Sequence, residues 1–135
     1  MTARRRSLPQ PAAGEVRVGL LGLGVLGRDA AAKLKAIGFQ VSGWSRSQKQ
    51  IDGIACHSGE SGLAALLETT DILVSLLPLT PDTRGLVNAA VLAQLPQDGA
   101  LGGPVYLNAG RGRTQVDADI LAALESGLLK AASLD

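Results

Sequence analysis

The sequence predicts an α/β protein built as a doubly wound parallel sheet of about six strands. Two observations carry that reading. From Glu15 onward, short apolar runs alternate with segments of helical period, and parallel neighbours need crossovers whose helices cover both faces of the sheet. No fixed-period repeat competes with it.

The elements follow in order. Val16 to Leu21 is a short apolar run ending in glycines and reads as a buried strand. Leu26, Ala30, Leu34 and Ile37 then recur at helical spacing as far as Gly38. Gln40 to Trp44 is a second strand, with Trp44 packed in or beside the sheet, and Ile54 to Cys56 is a short third. Leu63, Leu66 and Leu67 mark the next helix face. Ile72 to Leu76 is a strand that must stop by Pro78, because proline has no N–H for a central ladder. Asn88 caps a short helix carrying Val91, Leu92 and Leu95, closed by Pro96. Val105 to Asn108 is the fifth strand. Asp117 is the expected cap of a last helix presenting Ile120, Leu121 and Leu124, with Gly127 at its end. Ala131 to Leu134 opens a sixth strand, where the sheet is truncated at its C-terminal edge.

Composition sets the limits. At 135 residues and 13.8 kDa there is room for one compact domain. The reading divides the chain into a tail or linker remnant at residues 1–14, expected to be disordered, and one domain at residues 15–135. A formal net charge of +1 and 2% aromatics supply neither the field nor the stacking platforms of a nucleic-acid binder, so no nucleic acid is expected as a partner. No apolar run reaches the ~18 residues of a membrane span without interruption. The Arg4–Arg5–Arg6 stretch lacks the apolar core of a secretory signal, so no membrane partner and no export are expected. Cys56 is the one cysteine and His57 the one histidine, which leaves no disulfide and no zinc cluster. The expected compartment is the reducing cytosol, with the protein soluble and cytoplasmic.

The strongest chemical signal is Gly22, Gly24 and Gly27, a G-x-G-x-x-G lying between a predicted strand and a predicted helix. Gly22 serves the tight turn, Gly24 lets a pyrophosphate approach the backbone, and Gly27 lets helix and strand pack closely. The amides of Val25 and Leu26 then open the helix toward an anion. This is the signature of a Rossmann-type dinucleotide site. About twenty residues further on, where an NAD site usually carries Asp or Glu, the chain reads Trp44-Ser45-Arg46-Ser47, followed by Lys49. A carboxylate there would repel a 2′-phosphate by roughly 4 kcal/mol per unit charge at ~4 Å and an effective dielectric of ~20. Ser45 removes that repulsion and Arg46 reverses its sign, so NADPH is expected in preference to NADH.

Taken with Leu77-Pro78-Leu79-Thr80-Pro81-Asp82-Thr83 and Asn108-Ala109-Gly110-Arg111-Gly112, these motifs resemble the coenzyme domain of the D-2-hydroxyacid dehydrogenase family. Within it the likeness is to the glyoxylate/hydroxypyruvate reductase branch, and it extends from about Val16 to Asp135. The resemblance implies that Leu77 and Pro78 line the adenosine pocket and that Thr83 starts the segment beside it. It implies that Ala109 and Gly110 adjoin the coenzyme and that Arg111 holds the carboxylate of a small 2-oxoacid and orients its carbonyl for hydride transfer. Independently of the family, Arg111 lies just beyond a strand's C-terminal end, where open α/β sheets bind ligands, and its planar fork suits a carboxylate. Gly110 stands where many relatives carry alanine or serine. Asp135 matches the family's aspartate near the nicotinamide carboxamide.

The family also uses a histidine acid/base oriented by a glutamate, together with a substrate domain, and this sequence contains neither. The expectation is a chain that binds coenzyme without turnover. His57 is placed in the loop after the third strand, on the adenosine side and away from Arg111, and Cys56 is read as a small buried hydrophobe. Two other classes compete. One is a non-catalytic NADP-binding or interaction module, which could form a homodimer through the uncovered edge at Ala131, Ala132 and Leu134. The other is a β-hydroxyacid dehydrogenase relative, which the Leu77–Thr83 and Asn108–Gly112 motifs disfavour, as they disfavour a methyltransferase.

Overall fold

The computed structural model describes residues 12–134. Six parallel strands are β1 (Arg17–Leu21), β2 (Gln40–Ser45), β3 (Ala55–Ser58), β4 (Ile72–Ser75), β5 (Val105–Asn108) and β6 (Ala131–Ser133). The helices are α1 (Val25–Ile37), α2 (Gly59–Leu67), α3 (Ala89–Leu92) and α4 (Asp117–Ser126). The strands lie in the order β3-β2-β1-β4-β5-β6, every pairing parallel. Connectivity therefore changes direction between β1 and β4, the switch point at which open α/β sheets form a ligand crevice.

Side-chain alternation explains why the sheet is covered on both faces. On β1, Val18 and Leu20 point into a cluster with Ala31 of α1 and Ile54, joined by Val41, Ile72 and Val74. Leu21 points the other way, into a larger cluster with Leu66 and Leu67 of α2, Leu73, Leu92, Tyr106 and Ile120. Leu20, Leu21, Leu66, Leu67 and Leu73 are fully buried, each contributing about 1.5–3 kcal/mol relative to exposure. At the N-terminal end of the sheet, Arg17 grips Asp71 through its backbone N–H, Nε and Nη2 at 2.9, 3.1 and 3.0 Å, tying the start of β1 to the start of β4.

Several details depart from the sequence expectations. Residues 1–11 of the expected tail lie outside the described residues, but Ala13–Glu15 form a 3-10 turn, and Gln40 Nε2 donates to the Gly14 carbonyl at 2.7 Å. Asp117 is not a cap: Val116 holds that position, and the Asp117 carboxylate accepts from Gln115 Nε2 at 3.0 Å. The capping carboxylate belongs to Asp119, which takes the Ala89 N–H at the start of α3, so α4 caps its neighbour. Asn88 caps α3 as expected, accepting from the Val91 N–H at 3.0 Å. His57 lies within β3, paired in register with Trp44, because that strand runs two residues beyond its expected end. Cys56, beside it on this edge strand, is half-buried with its thiol 3.6 Å from the Ile54 carbonyl. A 3-10 turn at Gly112–Thr114, not foreseen, follows β5.

Candidate functional site

Because all six strands are parallel, the loops after β1, β2, β4 and β5 emerge on one edge, and together they enclose a cavity of about 690 Å3. That size suits a small-molecule or cofactor site. The β1 loop supplies Gly22 to Gly27, the β2 loop Ser45, Arg46, Ser47 and Lys49, the β4 loop Leu76, Leu77, Pro78, Thr80 and Thr83, and the β5 loop Ala109, Gly110 and Arg111. Every site residue named from the sequence therefore lines this cavity except Asp135, which lies outside the described residues. Leu23, Lys49, Leu76 and Thr80 line it as well without having been assigned to it. Lys49 had a signal, a second cation three residues after Arg46; Thr80 had none beyond its place in the proline-rich turn.

The glycine loop is built for close approach. Gly22 has φ +107°, and a Cβ there would stand 3.0 Å from the carbonyl oxygen of Leu76, just past the end of β4. A Cβ on Gly27 would run into the carbonyl of Gly22, so α1 can leave the strand this tightly only with glycine at that position. Gly24, the N-cap of α1, has nothing within 4 Å of where a Cβ would be, and that open space belongs to the cavity. The first helical bond runs from the Arg28 N–H to the Gly24 carbonyl. The preceding amides of the helix are thus left for an anion at the positive end of the helix dipole. A diphosphate-bearing coenzyme fits this cradle.

On the β2 side, Ser45 is buried, with its hydroxyl donating to the Ser47 carbonyl, and Arg46 is exposed. Arg46 Nη1 meets Asp82 Oδ2 at 2.9 Å, a contact the sequence reading missed. On the β4 side, Thr83 is buried and its hydroxyl donates to the Pro78 carbonyl at 2.6 Å, which holds the wall at Leu77 and Pro78. Among the described residues the lining contains three cations, Arg46, Lys49 and Arg111, and no carboxylate. Such a wall attracts polyanions.

Arg111 is held through its backbone, and among the described residues its side chain makes no ion pair. Its carbonyl accepts from Asn108 Nδ2 at 3.0 Å and from Thr114 Oγ1 at 2.7 Å, while Asn108 Nδ2 also donates to Gln115 Oε1 at 2.9 Å. The Gly110 N–H donates to Asn108 Oδ1 at 2.8 Å, and a Cβ on Gly110 would come within 2.8 Å of the Leu77 carbonyl. An alanine or serine at this position would crowd that contact. His57 stands on the far edge strand, four strand spacings from β5 or about 19 Å, so the structure does not bring it to Arg111.

Taken together, the sheet order, the glycine cradle and the cationic crevice define a dinucleotide-binding α/β domain. The family described as D-isomer specific 2-hydroxyacid dehydrogenase, NAD binding domain, matches residues 2–135, and the chain belongs to that family. The glyoxylate/hydroxypyruvate reductase A of Serratia proteamaculans is 46% identical over 118 residues, 87% of this chain and 36% of that protein. Its Klebsiella pneumoniae counterpart is 41% identical over the whole chain and 42% of its own length. Among solved structures, the NADPH-dependent glyoxylate/hydroxypyruvate reductase of Sinorhizobium meliloti, in complex with NADP and sulfate, superposes with a TM-score of 0.92 at 57% identity. That match covers 97% of this chain and 41% of the other. A probable 2-hydroxyacid dehydrogenase from Rhizobium etli, in complex with NADP, HEPES and L(+)-tartaric acid, gives 0.92 at 50%, over 97% of this chain and 41% of its own. The chain thus spans about two fifths of the length of the relatives it matches.

Proposed function

We propose that this chain is the coenzyme-binding part of an NADPH-dependent reductase of small 2-oxoacids, of the glyoxylate or hydroxypyruvate type. The observation that carries it is the single cavity joining an open glycine cradle, the Ser45–Arg46–Lys49 wall and Arg111. Gly24 and the amides opening α1 would take the pyrophosphate, and Ser45, Arg46, Ser47 and Lys49 the 2′-phosphorylated ribose. Leu77, Pro78 and Thr83 would enclose the adenosine, and Ala109 and Gly110 the part of the coenzyme next to β5. The bound coenzyme supplies the hydride. Arg111 would hold the substrate carboxylate in a bidentate charge-assisted contact and so aim its carbonyl. Among the described residues the lining offers no histidine or carboxylate to protonate the developing alkoxide, so the chain is expected to bind and orient without turnover. The cytosol is the compartment proposed, and a homodimer paired along the exposed edge of β6 the oligomer, to be checked by sedimentation across a concentration series. Among the described residues no helix is long and apolar enough to cross a membrane.

Calorimetric titration with NADPH, NADH and S-adenosylmethionine tests the function. NADPH should bind most tightly, NADH more weakly, and S-adenosylmethionine should give no heat. A folded sample that takes up neither nicotinamide coenzyme would overturn the reading.

A further inference from the structure

The Arg46–Asp82 ion pair has a position that bears on coenzyme choice. Arg46 follows β2 and Asp82 lies in the turn after β4. These strands flank β1, about 10 Å apart. The 2.9 Å contact therefore joins the loop after β2 to the turn after β4, where Arg46 and the flanking Thr80 and Thr83 line the cavity. The turn bearing Asp82 is held in place: the Thr80 N–H donates to Thr83 Oγ1 at 2.8 Å and the Arg84 N–H to the Thr80 carbonyl at 3.0 Å. Lys49, the other cation of this wall, makes no ion pair among the described residues.

Both side chains of the pair are about two-thirds exposed, at 66% and 61%, and an exposed pair of this kind is weak enough to exchange partners. A phosphate offers guanidinium a stronger, bidentate partner. The exchange has a cost, because Arg46 must give up its contact with the Asp82 carboxylate before it can turn to the phosphate. We propose that Asp82 is a specificity-determining residue of the coenzyme site: it is the resting counter-ion that Arg46 gives up to a 2′-phosphate, and it thereby limits the preference for NADPH over NADH. This rests on the coenzyme reading above. A ligand without the 2′-phosphate leaves the pair intact and is indifferent to Asp82.

The test is titration of the full chain with NADPH and with NADH, for wild type, Asp82→Asn, Arg46→Gln and the double variant, with Asp82→Ser as a second neutral side chain. Neutralising Asp82 should raise the NADPH-to-NADH affinity ratio about two- to fivefold through tighter NADPH binding, with NADH unchanged. In the Arg46→Gln background the same change should move the ratio less than twofold. If wild type binds both coenzymes and neither Asp82 variant shifts the ratio, this inference fails while the coenzyme reading stands. If the gain persists without Arg46, Asp82 acts on the phosphate directly and the exchange is refuted. If wild type binds neither coenzyme, both readings fall together.

Discussion

Gly24→Ala separates folding from binding more cleanly than any other single change in the cradle. Gly24 has φ −77° and ψ −158°, a conformation open to any residue, and no atom lies within 4 Å of the added methyl. For the fold, two small effects oppose each other: alanine restricts the unfolded chain, gaining about 0.4–1 kcal/mol, and is a poorer N-cap than glycine by a similar amount. The net should stay within ~1 kcal/mol, or a few degrees of Tm for a domain of this size. For the ligand, the methyl stands in the space a pyrophosphate must enter to reach the amides opening α1. Losing one or two charge-assisted hydrogen bonds at about 1.5–3 kcal/mol each predicts a fall in NADPH affinity of roughly 10- to 10,000-fold. Gly27→Ala is the contrast, since its methyl meets the backbone carbonyl of Gly22 and should cost about 1–3 kcal/mol of stability by overpacking. Differential scanning calorimetry and coenzyme titration on the two variants decide the matter. A Gly24→Ala protein that keeps its NADPH affinity would refute the placement of the pyrophosphate.

Three further outcomes follow from other parts of the structure. Arg46→Gln should weaken NADPH about tenfold or more while leaving NADH within twofold, measured by fluorescence titration; equal losses for both would remove Arg46 from 2′-phosphate recognition. Burial pushes the Asp71 carboxyl up, but hydrogen bonds and charge from Arg17 outweigh it and hold the group below its ordinary value of 3.8. That stabilisation is present above the unfolded pKa and lost as pH falls through the folded one, so Asp71→Asn should cost about 2–4 kcal/mol at pH 7 in urea melts, a difference that shrinks as pH is lowered past the ordinary carboxylate range. Among the described residues Tyr106 Oη and Ser75 Oγ are buried without a hydrogen-bond partner, and burial pushes the Tyr106 phenol up to about 12. Tyr106→Phe should accordingly be neutral or stabilising by up to ~1 kcal/mol in thermal melts, and a larger loss would mean that the hydroxyl is bonded.

The parts of this fold legible in the sequence are those governed by local chemistry. Strand and helix alternation, the glycine endings of α1 and α4, and the Asn88 cap each depend on a few consecutive residues, and each is where the pattern puts it. The errors share a different origin. Asp117 was the plausible cap by type, but Gln115 engages its carboxylate, and the capping acid reaches its helix from thirty residues away in sequence, Asp119 to Ala89. His57 stays extended because Trp44 of the neighbouring strand is there to pair with it. The Arg46–Asp82 contact is of the same kind, since no spacing rule joins a residue after β2 to one after β4.

Sheet polarity explains why a candidate site spread over ninety positions was nonetheless readable one segment at a time. In a parallel sheet, each strand's C-terminal end lies on the same edge, so a residue just past an apolar run is delivered there whatever its number. Gly22, Ser45, Leu77 and Ala109 all occupy that place, at the end of β1 or β2 or shortly after β4 and β5, and all reach one cavity. The reading by strand ends therefore works for whatever the backbone positions. It cannot say how two side chains then share the space, and in this crevice that question falls on Arg46, which faces Asp82 on one side and the proposed phosphate site on the other. Coenzyme preference is thus set by a balance that the fold permits but does not fix. One substitution at Asp82 can shift it without disturbing the sheet, whereas changes at Gly27 alter the junction of β1 and α1 itself.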